Sequence, residues 1–156
     1  MGQLIYDTRV ASAWVDYNQH MNDAEYARVF SYAVDAFWDA LGLGDAERDT
    51  VGVTTFTLES HVCFLAECVE DEALRVTLDV LDRDAKRFHL FFSLYRADDT
   101  LAATSEQMLM AIDPATHRGT AFPEAVSRVA DAYGQVERSD WPSQAGRQIG
   151  IRRKAG

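Results

Sequence analysis

Residues 23–41 read DAEYARVFSYAVDAFWDAL, and this stretch decides the fold. Tyr26, Ala27, Phe30, Ala33, Val34, Phe37, Trp38 and Leu41 recur at steps of three and four, which lines one face of a helix with apolar side chains. Glu25, Arg28, Asp35 and Asp39 fall mostly on the other side. Asn22, with Glu25 three residues on, reads as an N-cap and capping box, and Gly42 is placed to end the helix. From Asp23 to Leu41 the helix runs roughly 28 Å at the helical rise per residue. A stripe this long and apolar needs a surface to wrap it.

The flanking sequence supplies that surface. Residues 4–14 (LIYDTRVASAW) read as a strand, followed by the polar segment VDYNQHMN. Four further strands are expected between Val53 and Ile112, with no second helical pattern among them. In residues 73–81, Leu74, Val76, Leu78 and Val80 alternate with Arg75, Thr77 and Asp79; in residues 87–96, Phe88, Leu90, Phe92 and Leu94 alternate with polar positions. Glu70–Glu72, Asp82–Lys86 and Ala97–Thr100 read as short turns of antiparallel hairpins. A second helix is expected from Pro123 to Tyr133, with Pro at its first position. The order implies an α+β chain in which a curved antiparallel five-stranded sheet wraps a long central helix, the layout of the hotdog fold.

The chain has 156 residues, 47% of them apolar and 11% aromatic, enough for one domain with a real core. We expect that domain to span residues 1–140, with a basic C-terminal tail over 141–156. Arg147, Arg152, Arg153 and Lys154 lie in residues 147–156 without an acid, so removing these four cations from the formal net charge of −10 leaves the body at −14. Such a surface argues against nucleic acid, which needs a basic face. No run approaches the roughly 18 apolar residues of a membrane span, and the start lacks a signal pattern, so a cytoplasmic protein is expected. Cys63 and Cys68 are too few for a disulfide framework.

The stretch Trp14-Val15-Asp16-Tyr17-Asn18-Gln19-His20-Met21-Asn22-Asp23-Ala24-Glu25-Tyr26 closely resembles the signature of single-hotdog acyl-CoA thioesterases, relatives of 4-hydroxybenzoyl-CoA thioesterase. Many of these read D-x-N-G-H-M-N followed by a Tyr. Here Gln19 replaces the Gly, and the N-Q-H form is similar to the plant acyl-carrier-protein thioesterases. The similarity continues at Phe64-Leu65-Ala66-Glu67-Cys68, Asp84-Ala85-Lys86-Arg87-Phe88-His89 and Ala103-Thr104-Ser105-Glu106-Gln107, and reaches Pro123. More narrowly, Leu58-Glu59-Ser60-His61-Val62, KRFHLF and SEQMLM look like the thioesterase domain found alone or fused to L-carnitine dehydrogenases, which hydrolyses betainyl-CoA. The resemblance implies a homodimer or homotetramer with pockets between subunits.

Thioester hydrolysis needs a group that attacks or activates water, and donors that hold the developing oxyanion. Asp16 lies just ahead of the helix, as general base or nucleophile. The first-turn N–H groups of Asn22, Asp23 and Ala24 carry the positive end of the helix dipole and form a candidate oxyanion hole. No G-x-S-x-G elbow is present. Asn18 is a candidate to orient water or the carbonyl, and His20 is either catalytic or a loop hydrogen-bonder. Glu67 is a second candidate base, and the sequence leaves the choice between Asp16 and Glu67 open. Cys68 reads as a small buried hydrophobe rather than a nucleophile. Trp14, Tyr17, Tyr26 and His61 are candidate substrate walls, and aromatic faces suit a quaternary ammonium. Arg83, Lys86, Arg87 and Arg118 are the candidates for the CoA phosphates. His61, His89 and His117 lack metal-ligand spacing, so neither a metal nor a cofactor is expected. A hydratase of related fold carries D-x-N-x-x-H, whereas Asp16, Asn18 and His20 are one residue tighter; a non-catalytic acyl-CoA-binding protein leaves the carboxylates unexplained.

Overall fold

The computed structural model describes residues 2–155. Its axis is α1 (Asp23–Ala40), where Asn22 caps the helix by accepting the Ala24 N–H. Gly42 ends it in the left-handed region (φ +77°), which a side chain strains to adopt. Tyr26, Val29, Phe30, Ala33, Val34, Phe37 and Trp38 are buried, as the three-and-four spacing requires. The capping box does not close. Glu25 pairs with Arg28 instead, and the Asn22 N–H donates to the Trp14 carbonyl because the incoming chain folds back across the helix start.

The strands are β1 (Gln3–Arg9), β2 (Thr54–Phe64), β3 (Ala73–Arg83), β4 (Arg87–Arg96), β5 (Leu101–Asp113) and the two-residue β6 (Arg118–Gly119). They form one antiparallel sheet in the order β1-β3-β4-β5-β2, with β6 extending β5. Leu74, Val76, Leu78 and Val80 of β3 and Phe88, Leu90, Phe92 and Leu94 of β4 join α1 in the core. Burial of each large apolar side chain stabilises the fold by about 1.5–3 kcal/mol. At the far end of α1, Phe37, Trp38, Phe88, Phe122 and Tyr133 stack edge-on or tilted on one another. This is the α+β hotdog arrangement, with one strand more than the five expected.

The expected strand over 4–14 stops at Arg9, because Val10 donates to Glu72 and residues Ser12–Trp14 turn in a 3-10 helix that carries the chain off the sheet. Glu70–Glu72 is not a hairpin turn. β2 pairs with β5 instead of β3, so residues 65–72 cross the ends of β5 and β4, three inter-strand steps or about 14 Å. A short α2 (Arg48–Val51), which no sequence pattern anticipates, precedes β2. α3 (Glu124–Asp131) uses Pro123 as its N-cap rather than its first residue. The C-terminal segment lies on the face of the sheet away from α1. Trp141 packs edge-on against His89, and the Gly146 N–H donates to Glu106, whose other oxygen contacts the His89 Nε2 at 2.7 Å.

Candidate active site

The polar segment before α1 is a tight loop. Val15 bridges Met21, Asp16 donates its N–H to the His20 carbonyl, and the Asp16 side chain accepts the Asn18 N–H at 2.9 Å. Gln19 takes φ +63° at the tip, the conformation that favours the glycine seen there in the resembling motif. The loop is sewn to the crossover by the Met21 N–H on the Cys68 carbonyl and a bridge from His20 to Val69. These bonds bring the two separated sequence motifs to one end of the sheet, where His20 Nε2 lies 3.2 Å from Glu67 Oε2.

Beside this pair opens a cavity of about 320 Å³ lined by Met21, Asp23, Tyr26, Phe64, Leu65, Ala66 and Glu67. Tyr26 and Phe64 meet edge to face at 5.3 Å, and the Tyr26 hydroxyl donates to the Ala66 carbonyl at 3.1 Å. Burial pushes that hydroxyl well above its usual range, so it stays protonated. Burial likewise raises the Cys68 thiol; with no exposed surface it offers no thiolate.

Two of the three expected oxyanion donors are occupied. The Asn22 N–H goes to Trp14, and the Ala24 N–H goes to the side chains of Asn22 and Asp23. Among the described residues the Asp23 N–H has no acceptor, and Asp23, the first residue of α1, lines the cavity at the positive end of the helix dipole.

Other candidates lie elsewhere. Tyr17 is 92% exposed at the loop tip, and Trp14 packs partly buried against the core. His61 is on the outer face, opposite Glu106 and 3.9 Å from Cys63, in a separate cavity with His89, Gly146 and Arg147. The strand does not run on to Glu67: β2 ends at Phe64, and the Leu65 and Ala66 N–H groups both turn to the Ala102 carbonyl. Arg83 is held by Asp131 and the Ser127 carbonyl, and Arg87 by Asp84, whose carboxyl Arg87 and the Lys86 and Arg87 N–H groups keep below its ordinary value. With Lys86 and Arg118 they sit at the end of the sheet remote from Glu67, a β4 length or about 30 Å away. The thirteen bonds of a pantetheine arm span about 16 Å when extended like backbone, about half that distance. Sequence reasoning missed Arg96. Its Nη1 donates to the Glu67 carbonyl at 3.3 Å.

The helix N-terminus, the left-handed loop and the His20–Glu67 pair thus meet at one end of the hotdog sheet. The chain belongs to the thioesterase-like superfamily, whose family model matches residues 10–129. It is 39% identical over 148 residues to a betainyl-CoA thioesterase of Pseudomonas aeruginosa, covering 94% of this chain and 93% of that one. It is 37% identical over 155 residues to an L-carnitine dehydrogenase/betainyl-CoA thioesterase of a Rhizobium species, covering 96% of this chain and 30% of that longer protein. A Staphylococcus aureus protein solved in complex with CoA superposes with a TM-score of 0.89 at 40% identity, over 97% of this chain and 98% of that one.

Proposed function

We propose that this protein is an acyl-CoA thioesterase, hydrolysing betainyl-CoA to betaine and CoA. The observation that carries the reading is the His20–Glu67 pair, 3.2 Å apart, beside a cavity at the α1 N-terminus that Asp23 and Glu67 line, with the Asp16 loop joined to it through His20. The thioester oxygen sits at the Asp23 N–H, where the helix dipole stabilises charge as it builds. Asp16 or Glu67 removes a proton from water, or attacks the carbonyl and is then hydrolysed. His20 holds the Glu67 carboxylate and Asn18 orients the water or carbonyl. The tetrahedral centre collapses with loss of the C–S bond, and the CoA thiolate takes up a proton.

The acyl head meets Tyr26 and Phe64 with Asp23 and Glu67 among the lining residues, an aromatic and acidic setting that suits a trimethylammonium. Each ring face supplies about 0.5–2 kcal/mol toward such a cation. The similarity to the named relatives supports the same substrate. CoA enters as part of the substrate; no further cofactor or metal is assigned a role. The eleven-residue β2 is an edge strand with exposed Phe56 and Leu58, which supports self-association as a homodimer. No described helix is long and apolar enough to cross a membrane. The free cysteines Cys63 and Cys68 support a cytoplasmic setting.

The test is thiol release from betainyl-CoA and from 3,3-dimethylbutanoyl-CoA, which has the same shape without the charge. Wild type turns over the betainyl ester preferentially, and Asp16→Asn or Glu67→Gln lowers kcat by about 10²–10⁴-fold. Equal turnover of both esters refutes the head-group assignment, and absence of thiol release refutes the thioesterase.

A further inference from the structure

The crossover carries Glu67 over the ends of β5 and β4, where no strand ladder holds it. Arg96, the last residue of β4, reaches it. Its Nη1 donates to the Glu67 backbone carbonyl, its Nε donates to Glu72 Oε1 at 2.9 Å, and its Nη2 lies 3.5 Å from Asp98. The other Glu72 oxygen accepts the Val69 N–H at 3.1 Å. One guanidinium and one carboxylate thus bracket residues 67–72, with Glu67 on one leg and Val69, the partner of His20, on the other. The Glu72 side chain is largely buried at 11% exposed, so this pair is screened less than the exposed ion pairs around it. A guanidinium holds its donors in a rigid planar fork that spans these separated acceptors, whereas an ammonium groups its three donors at one point on a flexible stem.

We infer that Arg96, held by Glu72, is a positioning residue for the Glu67–His20 pair, an inference that rests on the reading of Glu67 as a working carboxylate. Arg96 lines no part of the cavity. It fixes the backbone from which Glu67 rises, and through Val69 it fixes the strand bridge that presents His20.

The experiment is a double-mutant cycle in steady-state thiol release from betainyl-CoA, with melting curves for every variant. Arg96→Met lowers kcat by about 10²-fold, as expected for a displacement of about 1 Å, and leaves KM nearly unchanged. Arg96→Lys recovers part of the loss. In a Glu67→Gln background, Arg96→Met costs little more, because the group it positions is already disabled. If Arg96→Met does not fold, Arg96→Lys replaces it in the same cycle. An unchanged kcat in a folded Arg96 variant, or a full second loss in the Glu67→Gln background, overturns the positioning role while the thioesterase stands. A wild type that releases no thiol overturns both.

Discussion

Replacing Asp23 by proline separates the fold from the proposed oxyanion donor. Asp23 is the first residue of α1, where proline's fixed φ suits the helix and its missing N–H breaks no helical bond. The preceding Asn22 has φ −63° and ψ 145°, the extended region that a residue before proline prefers. Asn22 still accepts the Ala24 N–H, so the cap survives. The stability change is limited to the loss of one carboxylate at the helix start, about 0.3–1 kcal/mol. The rate change is large. Removing an oxyanion donor costs about 10²–10³ in kcat, or about 2.7–4 kcal/mol. The control is Asp23→Ala, which removes the same carboxylate and keeps the N–H. Thiol release from betainyl-CoA and melting by circular dichroism are measured for both. An Asp23→Pro enzyme that melts normally and turns over within about threefold of Asp23→Ala refutes the assignment of this N–H to the oxyanion.

Phe37 is fully buried and meets Phe88 and Tyr133 edge-on, so Phe37→Ala costs about 3–5 kcal/mol and lowers Tm by roughly 10 °C, whereas Tyr17→Ala leaves the melting curve in place. Gln19 sits at φ +63°, so Gln19→Gly holds or raises stability and Gln19→Val lowers it by about 1–2 kcal/mol in urea titrations. The Asp35 carboxyl is held above its ordinary 3.8, first by burial and then by Asp45 and Asp39. The fold resists its charged form, and the stability it contributes is full below the unfolded value and lost as pH rises through the folded one. Asp35→Asn therefore raises Tm at about pH 7, with the gain closing toward about pH 3; a gain that grows on acidification contradicts the sign.

The helix was legible because period, cap and terminator all fall within one continuous stretch, from Asn22 to Gly42. The hairpin strands β3 and β4 were legible for the same reason, since a period of two needs no distant partner to be seen. What escaped depends on topology. Nothing in the run from Phe64 to Ala73 says that β2 lies beside β5, so the crossover read as a short turn, and with it went the face of His61. Glu67 and the loop motif were visible as residues, but their meeting is made by Met21 on Cys68 and His20 on Val69, contacts across nearly fifty residues. Arg96 carried no signal, ending a strand as an ordinary charged residue until the fold sets it against Glu72 and Glu67. The charges at Arg83 and Arg87 were visible, but not the acids that occupy them.

The placement of β2 also has a cost during synthesis. Phe64 pairs with Ala103, so on the ribosome β2 emerges about 40 residues before β5, the strand it pairs with among the described residues, or about 2–8 s at ordinary elongation rates. The β3–β4 hairpin meanwhile closes on itself within microseconds of emergence, which leaves β2 with both edges bare and Phe56, Leu58 and Phe64 uncovered. Slowing elongation between β2 and β5, for instance with rare codons over the β3–β4 hairpin, prolongs that interval and lowers soluble yield. Circularly permuted chains that begin at β3 and end with β2, made after β5 is already in place, avoid the wait altogether.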